Sequence, residues 1–296
     1  VLTQQPAVAE FEQTRRTVLR RQRLEALAGV LIFSAILLAS FHHSQFFSSD
    51  IGGDPLGRVG SFLDRMVPDL KTDVLLADKR TTGSLAWWYY DLPTWLSLGW
   101  QTVEMAIVAT VFGAVGGLIA SFLCARNLMR FPAVRFVVRR TLEAIRTLPD
   151  LILALVLVAA FGVGPLAGVI TLAVSTMGSL GKLFSEINEE VDFRQLEALE
   201  ASGAGLFNKI RYGVIPQVLP NYASYALIRL EGNLGGAAAL GIVGAGGIGL
   251  ELQRAITYTE FDTYFAILLL IVGMIFVIDM ASEAIRHRLI GIGEAR

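Results

Sequence analysis

Arg229, Glu231 and Asn233 fall inside an apolar stretch covering residues 219–240. Ionisable side chains are costly in such surroundings, so each points either to function or to a buried partner. On a helix, positions 229 and 231 project to opposite sides and cannot neutralise each other. Arg229 instead shares a face with Tyr222, Tyr225, Asn233 and Gly236. The chemistry open to that stripe is anion binding, with a fixed guanidinium flanked by phenol and amide hydrogen-bonding groups. The alternative is a structural ion pair joining Arg229 to Glu104, to Asp279 or to Glu231 of another subunit. Glu104 and Asp279 are themselves candidates for internal pairing.

A second pattern, Gly244-Ala-Gly246-Gly247-Ile-Gly249, fits the spacing G-x-G-x-x-G, with Asp262 downstream. Dinucleotide binding needs that pattern between a strand and a helix. Here it joins two apolar blocks, and we read it as a flexible re-entrant turn. Irregular backbone is tolerated at membrane depth where protein or a water-filled cavity covers it. Catalytic chemistry has little to build on. The single cysteine, Cys124, excludes an internal disulfide, and His42, His43 and His287 lack metal-ligand spacing. The apolar blocks offer no histidine and no clustered aspartates for an intramembrane hydrolase. No G-x-x-x-x-G-K-[ST] pattern is present, so the chain carries no nucleotide-hydrolysing loop of that kind.

These residues must be positioned by membrane helices. Of 296 residues, 54% are hydrophobic and 17% charged, against about 25% charged in soluble domains. Six blocks are candidates to cross a bilayer: 24–41, 95–123, 148–162, 166–183, 219–240 and 264–282. The fold class expected is therefore all-α, a polytopic membrane protein with six transmembrane helices. Gly162, Gly164 and Pro165 break the chain between the third and fourth blocks and predict a tight helical hairpin. The first block ends in His-His-Ser-Gln, not in a small-residue cleavage site, and reads as a retained helix. Pairs Gly113/Gly117, Gly164/Gly168 and Gly232/Gly236 would let helices approach closely in lipid.

Basic residues set the orientation. Arg15, Arg16, Arg20, Arg21 and Arg23 precede the first block; Arg126, Arg130, Arg135, Arg139 and Arg140 follow the second; Arg286 and Arg288 follow the last. Six crossings put all three groups on one side, so both termini are expected in the cytoplasm. The intervening loop carries Asp50, Asp54, Asp64, Asp69, Asp73, Asp78 and Asp91 and belongs outside. Trp87, Trp88, Tyr89, Tyr90 and Trp95 sit where an aromatic belt would. The segments are then a cytoplasmic arm 1–23, a first helix 24–41, an outer loop 42–94, a core domain 95–288 and a cytoplasmic tail 289–296. With a net charge of −1, no global basic field for nucleic acid exists.

Between the fourth and fifth blocks, residues 186–220 read EINEEVDFRQLEALEASGAGLFNKIRYGVIPQVLP. A helix around Glu197, ended by Gly203, and a second short one over 206–212 would lie on the cytoplasmic face, with Pro216 opening the next span. The acidic groups Glu186, Glu189, Glu190, Asp192, Glu197 and Glu200 suit a protein partner better than anionic lipid.

Glu197-Ala198-Leu199, Gly203 six residues after the glutamate, and Ile215-Pro216 resemble the EAA loop of ABC importer permeases. Leu199 stands for that pattern's second alanine, and Gly213 and Ile215 for its distal isoleucine and leucine. RTLP at 146–149, FGVGPLAGV at 161–169, GKLFSE at 181–186, RYGVIPQVLP at 211–220 and LGIVGAGGIGLEL at 240–252 resemble phosphonate-type permeases. Methionine-importer permeases share the glycine-rich segment. The resemblance covers roughly residues 99–288. It implies a type I ABC importer permease fold of the MetI-like kind and no enzymatic activity or cofactor. It further implies ATPase subunits docked on Glu197, Ala198, Gly203 and Pro216, and an extracytoplasmic solute-binding protein. A second copy of the chain in the membrane lipid would complete the path along Tyr222, Tyr225, Arg229 and Asn233. Gly244, Gly246, Gly247 and Gly249 would lie at the periplasmic gate. The path would carry phosphonate or a related phosphorus oxyanion, such as phosphate or phosphite, by alternating access driven by the separate ATPase, with methionine or another small solute as the alternative. An intramembrane enzyme or a scaffold without transport are the rival classes.

Overall fold

The computed structural model describes residues 5–44 and 54–294. Parts of the arm, outer loop and tail (1–4, 45–53 and 295–296) lie outside the described residues. The chain divides into two compact units, Val1–Phe62 and Leu63–Arg296. The first contains α1 (Gln5–His43), a single helix that runs through the expected boundary at residue 23 without a break. Its side chains from Arg15 to Ser44 are almost all exposed, Ser34 being half-buried. Helix α2 (Pro55–Met66) contains the boundary between the units.

The second unit is helical throughout, with no strand among the described residues. A 3₁₀ turn (Thr72–Val74) and the short α3 (Leu85–Trp88) lead into α4 (Leu92–Cys124), 33 residues long. Then come α5 (Pro132–Thr147), α6 (Asp150–Phe161), α7 (Pro165–Glu189), α8 (Phe193–Ala201) and α9 (Leu206–Asn208). A π-helical turn over 209–214 runs straight into α10 (Ile215–Gly241), and α11 (Gly249–Thr257) and α12 (Phe261–Glu294) complete the unit.

The six expected crossings resolve differently. Four helices are long and apolar enough to cross a bilayer, within 15–43, 92–124, 165–189 and 261–288. The third block is too short alone: α6 has 12 residues, about 18 Å, against a core of about 30 Å. It makes a fifth crossing only together with α5, from which it is bent by 89° at Leu148-Pro149. Pro149 lacks an amide hydrogen, and the residue before a proline is pushed to extended backbone, here ψ 124° at Leu148. Helix α10 has the length, at 27 residues, but Arg229, Glu231 and Asn233 lower its apolar character.

The Gly162–Pro165 break is as expected, with φ of 90° at Gly162 and 152° at Gly164 between α6 and α7. Helix α4 lies against α7 closely enough that a Cβ at Gly113 would stand 2.5 Å from Thr176 Cβ, and one at Gly117 2.9 Å from Gly181 N. At such approach, dispersion between helices takes over the holding role that water exclusion plays in soluble cores. Gly168 and Gly236 also make close contacts, whereas Gly164 and Gly232 have open space where a Cβ would be.

Candidate functional site

Helix α8 forms because Asp192 caps it, accepting a hydrogen bond from the Arg194 amide at 3.0 Å. It stops at Gly203, whose φ of 81° is the left-handed conformation glycine adopts without penalty. The Gly203 amide bonds Glu200 O and the Ala204 amide bonds Leu199 O, both at 2.9 Å, so the last carbonyls are satisfied. Leu196 is buried in a cluster with Phe184, Val191, Val214, Val218 and Tyr222. Glu197, Ala198 and Gly203 are exposed, and nothing lies within 4 Å of where a Gly203 Cβ would be. Glu186 and Glu189 belong to α7, not to this helix, because α7 continues to the end of its own acidic stretch. The expected second helix over 206–212 is α9 followed by the π-helical turn, and Pro216 stands in the first turn of α10.

Two brackets fix α8 to the root of α10. Gln217 donates from Nε2 to Gly213 O at 2.6 Å and to Gln195 Oε1 at 2.9 Å, and its Oε1 accepts from the Asp192 amide at 3.3 Å. Glu200 meets Lys209 Nζ at 2.9 Å and Arg130 at 3.4 Å. The hydrogen bond and charge of Lys209 hold the Glu200 carboxyl below its ordinary range. Gly213 explains one departure from the EAA pattern: a Cβ there would stand 2.9 Å from Leu199 Cδ1 and 3.0 Å from Leu196 Cδ2. Beside this assembly, a cavity of 530 Å³ is lined by Asn127, Arg130, Glu197, Glu200, Leu206 and Lys209, among others.

Along α10 the four stripe residues separate. Arg229 is half-buried and donates to Ser175 Oγ at 2.7 Å and to Thr176 Oγ1 at 3.3 Å. Asn233 is buried and donates to Thr110 Oγ1 and Thr176 Oγ1, each at 2.8 Å. Tyr222 is buried too; its hydroxyl donates to Asn188 Oδ1, and its ring stacks on Phe184 at 4.2 Å. Tyr225 is exposed. Glu231 faces α12, 3.9 Å from Arg286 and near enough to Asp279 for its charge to be felt. Glu104 is exposed on α4. Arg229 therefore pairs with none of the three acids within this chain. Asp150 at the head of α6 lies close enough for its charge to be felt but forms no ion pair with it among the described residues. The sequence reading missed Thr110, Ser175, Thr176 and Asn188; their only signal is polar side chains on facing helices, which periodicity does not pair.

The glycine-rich loop is buried between α4, the α6–α7 turn and α10. Gly244, Gly246 and Gly247 have φ of 90°, 88° and 73°. A Cβ at Gly246 would stand 2.8 Å from Pro165 N, and one at Gly249 2.1 Å from Ala238 O. The Gly247 amide bonds Gln101 Oε1 at 3.2 Å and the Ile248 amide bonds Thr102 Oγ1 at 2.9 Å. Amides that would have to cradle a pyrophosphate are thus already taken, and the segment follows a helix, not a strand.

A scaffold of long apolar helices with an exposed, glycine-capped short helix is matched by one family profile, that of binding-protein-dependent transport system inner membrane components, over residues 113–291. The chain belongs to that family. It is similar to the phosphite transport system permease protein PtxC of Stutzerimonas stutzeri, 37% identical over 193 residues, covering 65% of this chain and 70% of that protein. The putative phosphite permease HtxC of the same organism is 32% identical over 274 residues, 92% of this chain and 89% of the relative. The phosphate-import permease PhnE of Mycolicibacterium smegmatis is 36% identical over 190 residues, 64% of this chain and 36% of the relative. Among solved structures, the fold matches the inward-facing MetNI methionine ABC transporter with TM-score 0.57 at 23% identity, over 66% of this chain and 95% of that one. A bacterial alginate importer matches with TM-score 0.60 at 13% identity, over 87% and 97%.

This ABC importer permease is accordingly a multi-pass subunit of a bacterial inner membrane and not an enzyme. Membership of this family implies an ATPase and a solute-binding protein as partners.

Proposed function

We propose that this permease carries a phosphorus oxyanion, of the phosphonate, phosphite or phosphate class, along the face of α10 that bears Arg229. The observation that carries the reading is the Arg229 guanidinium, half-buried among apolar helices and held by two neutral hydroxyls instead of a carboxylate. A desolvated anion needs a compensating charge in a low-dielectric passage, and a guanidinium without an ion pair has its charge to offer. Tyr225 is open on the same helix, while Tyr222 and Asn233 hold the stripe in place from behind. Relatives whose names specify phosphite and phosphate transport support the same class.

Two copies would face each other across the path, with both termini in the cytoplasm and residues 42–94 outside. The exposed side of α8, with Glu197, Ala198 and Gly203, would dock the ATPase, and the Gln217 and Glu200 brackets would pass its movement to α10 behind Pro216. The loop of Gly244, Gly246, Gly247 and Gly249 would form the outer gate. The test is uptake into proteoliposomes loaded with ATP and carrying the permease, its ATPase and its solute-binding protein. Labelled phosphonate, phosphite or phosphate should accumulate and methionine should not. Methionine uptake without oxyanion uptake would reject the substrate class.

A further inference from the structure

Trp87 and Trp88 of α3, Tyr90 just after it, and Glu260, Asp262 and Thr263 at the start of α12 line a cavity of 340 Å³ away from the α10 stripe. Its walls are fixed. Trp88 Nε1 donates to Asp262 O at 2.9 Å, and the Trp88 ring packs against Phe265 with centroids 6.0 Å apart. The turn that delivers Glu260 is held in an uncommon conformation: Thr259 has φ 60°, and the Glu260 amide closes the turn onto Ala255 O at 2.9 Å.

Neither carboxylate has an ion-pair partner among the described residues, although the charge of Arg254 is felt at Tyr90 on the cavity wall. Arg254 pairs with Glu251 at 3.5 Å, and Arg65 lies 5.7 Å from the centre of the Phe261 ring. Burial, and then the charge of Glu260, push the Tyr90 phenol above its ordinary value. Aromatic faces with two carboxylates at one rim suit a guanidinium or ammonium group, and they repel the anions read as substrate.

We infer that this cavity is the socket for an arginine or lysine side chain of the solute-binding protein. The inference rests on the orientation proposed above, which puts residues 42–94 on the outer face. Charge complementarity selects a basic side chain, and the outer face selects its bearer. The socket also sits where docking can be felt: Trp88 belongs to the buried cluster that contains Ile248 of the glycine-rich loop and Leu252 and Ala255 of α11. A side chain seated against Trp88 therefore bears on the helix that continues directly from the loop.

The experiment measures ATPase rate against solute-binding-protein concentration for the whole transporter in nanodiscs, at low and high salt. Glu260→Gln/Asp262→Asn should raise the half-saturating concentration about tenfold or more with the maximal rate unchanged, as loss of a docking charge pair does. Salt should weaken wild-type docking and leave the double variant nearly unaffected. Glu260→Lys should be worse, and reversing one arginine or lysine on the binding protein to glutamate should restore it. Wild-type half-saturation and salt dependence in the double variant would overturn the socket while leaving the importer reading intact. A wild-type complex unstimulated by its binding protein would overturn both. Cytoplasmic labelling of a cysteine at Asp69 would remove the socket by removing the orientation.

Discussion

Arg229 and Asn233 share one acceptor: Thr176 Oγ1 receives the guanidinium Nε at 3.3 Å and the Asn233 amide at 2.8 Å. The arginine is thereby held by hydroxyls and forms no ion pair among the described residues, with Asp150 near enough only for its charge to be felt. Arg229→Gln should lose at least tenfold in oxyanion uptake while expression, assembly and binding-protein-stimulated ATPase remain normal. Loss of assembled complex, recovered when Glu104, Asp279 or Glu231 is neutralised as well, would make Arg229 a structural ion-pair partner across subunits.

Gly203 carries two separable properties. Its left-handed backbone costs an ordinary residue about 1–2 kcal/mol, and the space around it is empty. Gly203→Ala should therefore fold with a modest loss of stability and retain part of its coupling. Gly203→Trp should abolish uptake and ATPase stimulation with the protein still in the membrane, because the bulk would project into the side of α8 proposed to dock the ATPase. Wild-type rates for the tryptophan variant would remove α8 from the ATPase interface.

A methyl group at Gly249 would meet Ala238 O at 2.1 Å, a backbone contact that no rotamer change relieves. Gly249→Ala should lower the melting temperature of the detergent-solubilised protein markedly and reduce its yield. Gly232→Ala, with nothing within 4 Å, should leave both unchanged within about 0.5 kcal/mol or gain slightly from helix propensity. Equal behaviour of the two variants would show that the α10–loop packing is looser than described.

The Glu200–Lys209 tie sets a pH dependence. Its carboxyl is held below the ordinary value of about 4.3, so its folded-state stabilisation is complete above that value. It is lost as pH falls through the lowered one. Amide exchange in 202–209, corrected for intrinsic rate, should be flat from about pH 8 to 5 and rise only below about pH 4. Glu200→Gln should show the raised exchange already at neutral pH, along with more ATP consumed per solute transported. A variant with unchanged exchange would remove the bracket.

Topology is tested with single cysteines in a Cys124→Ser background. One placed at Asp69 should react with an impermeant thiol reagent in intact spheroplasts, and one at Gln13 should not. The opposite pattern would invert every assignment of side made here.

How much of this was legible in the sequence depends on how local the cause is. Gly203 and Pro165 act through their own φ angles, and both mark breaks where expected. The Leu148-Pro149 bend could be read as a helix boundary, but not as an 89° turn that leaves α6 a half-crossing, because the angle is set by packing against α7. Arg229 announced itself by its cost in an apolar block. Its partners did not, since Ser175 and Thr176 look like any hydroxyl residues that bond their own helix. Tyr222 shares the helical face of Arg229 in sequence yet turns to Asn188, because its ring fits over Phe184. The Gln217 bracket was invisible for the same reason: it joins residues brought together only once the π-helical turn folds α8 back onto α10.

The shared oxygen of Thr176 has one more consequence. Both donors ride on α10, four residues apart, so a rotation of α10 that draws one away draws the other with it. Intermediate positions would strand the guanidinium, whose other bond, to Ser175, is also made to α7, while the Asn233 amide keeps only Thr110 on α4, and a buried polar group short of partners is costly. The seam between α7 and α10 therefore behaves as a toggle, not a dial: it holds one register until both bonds are surrendered together.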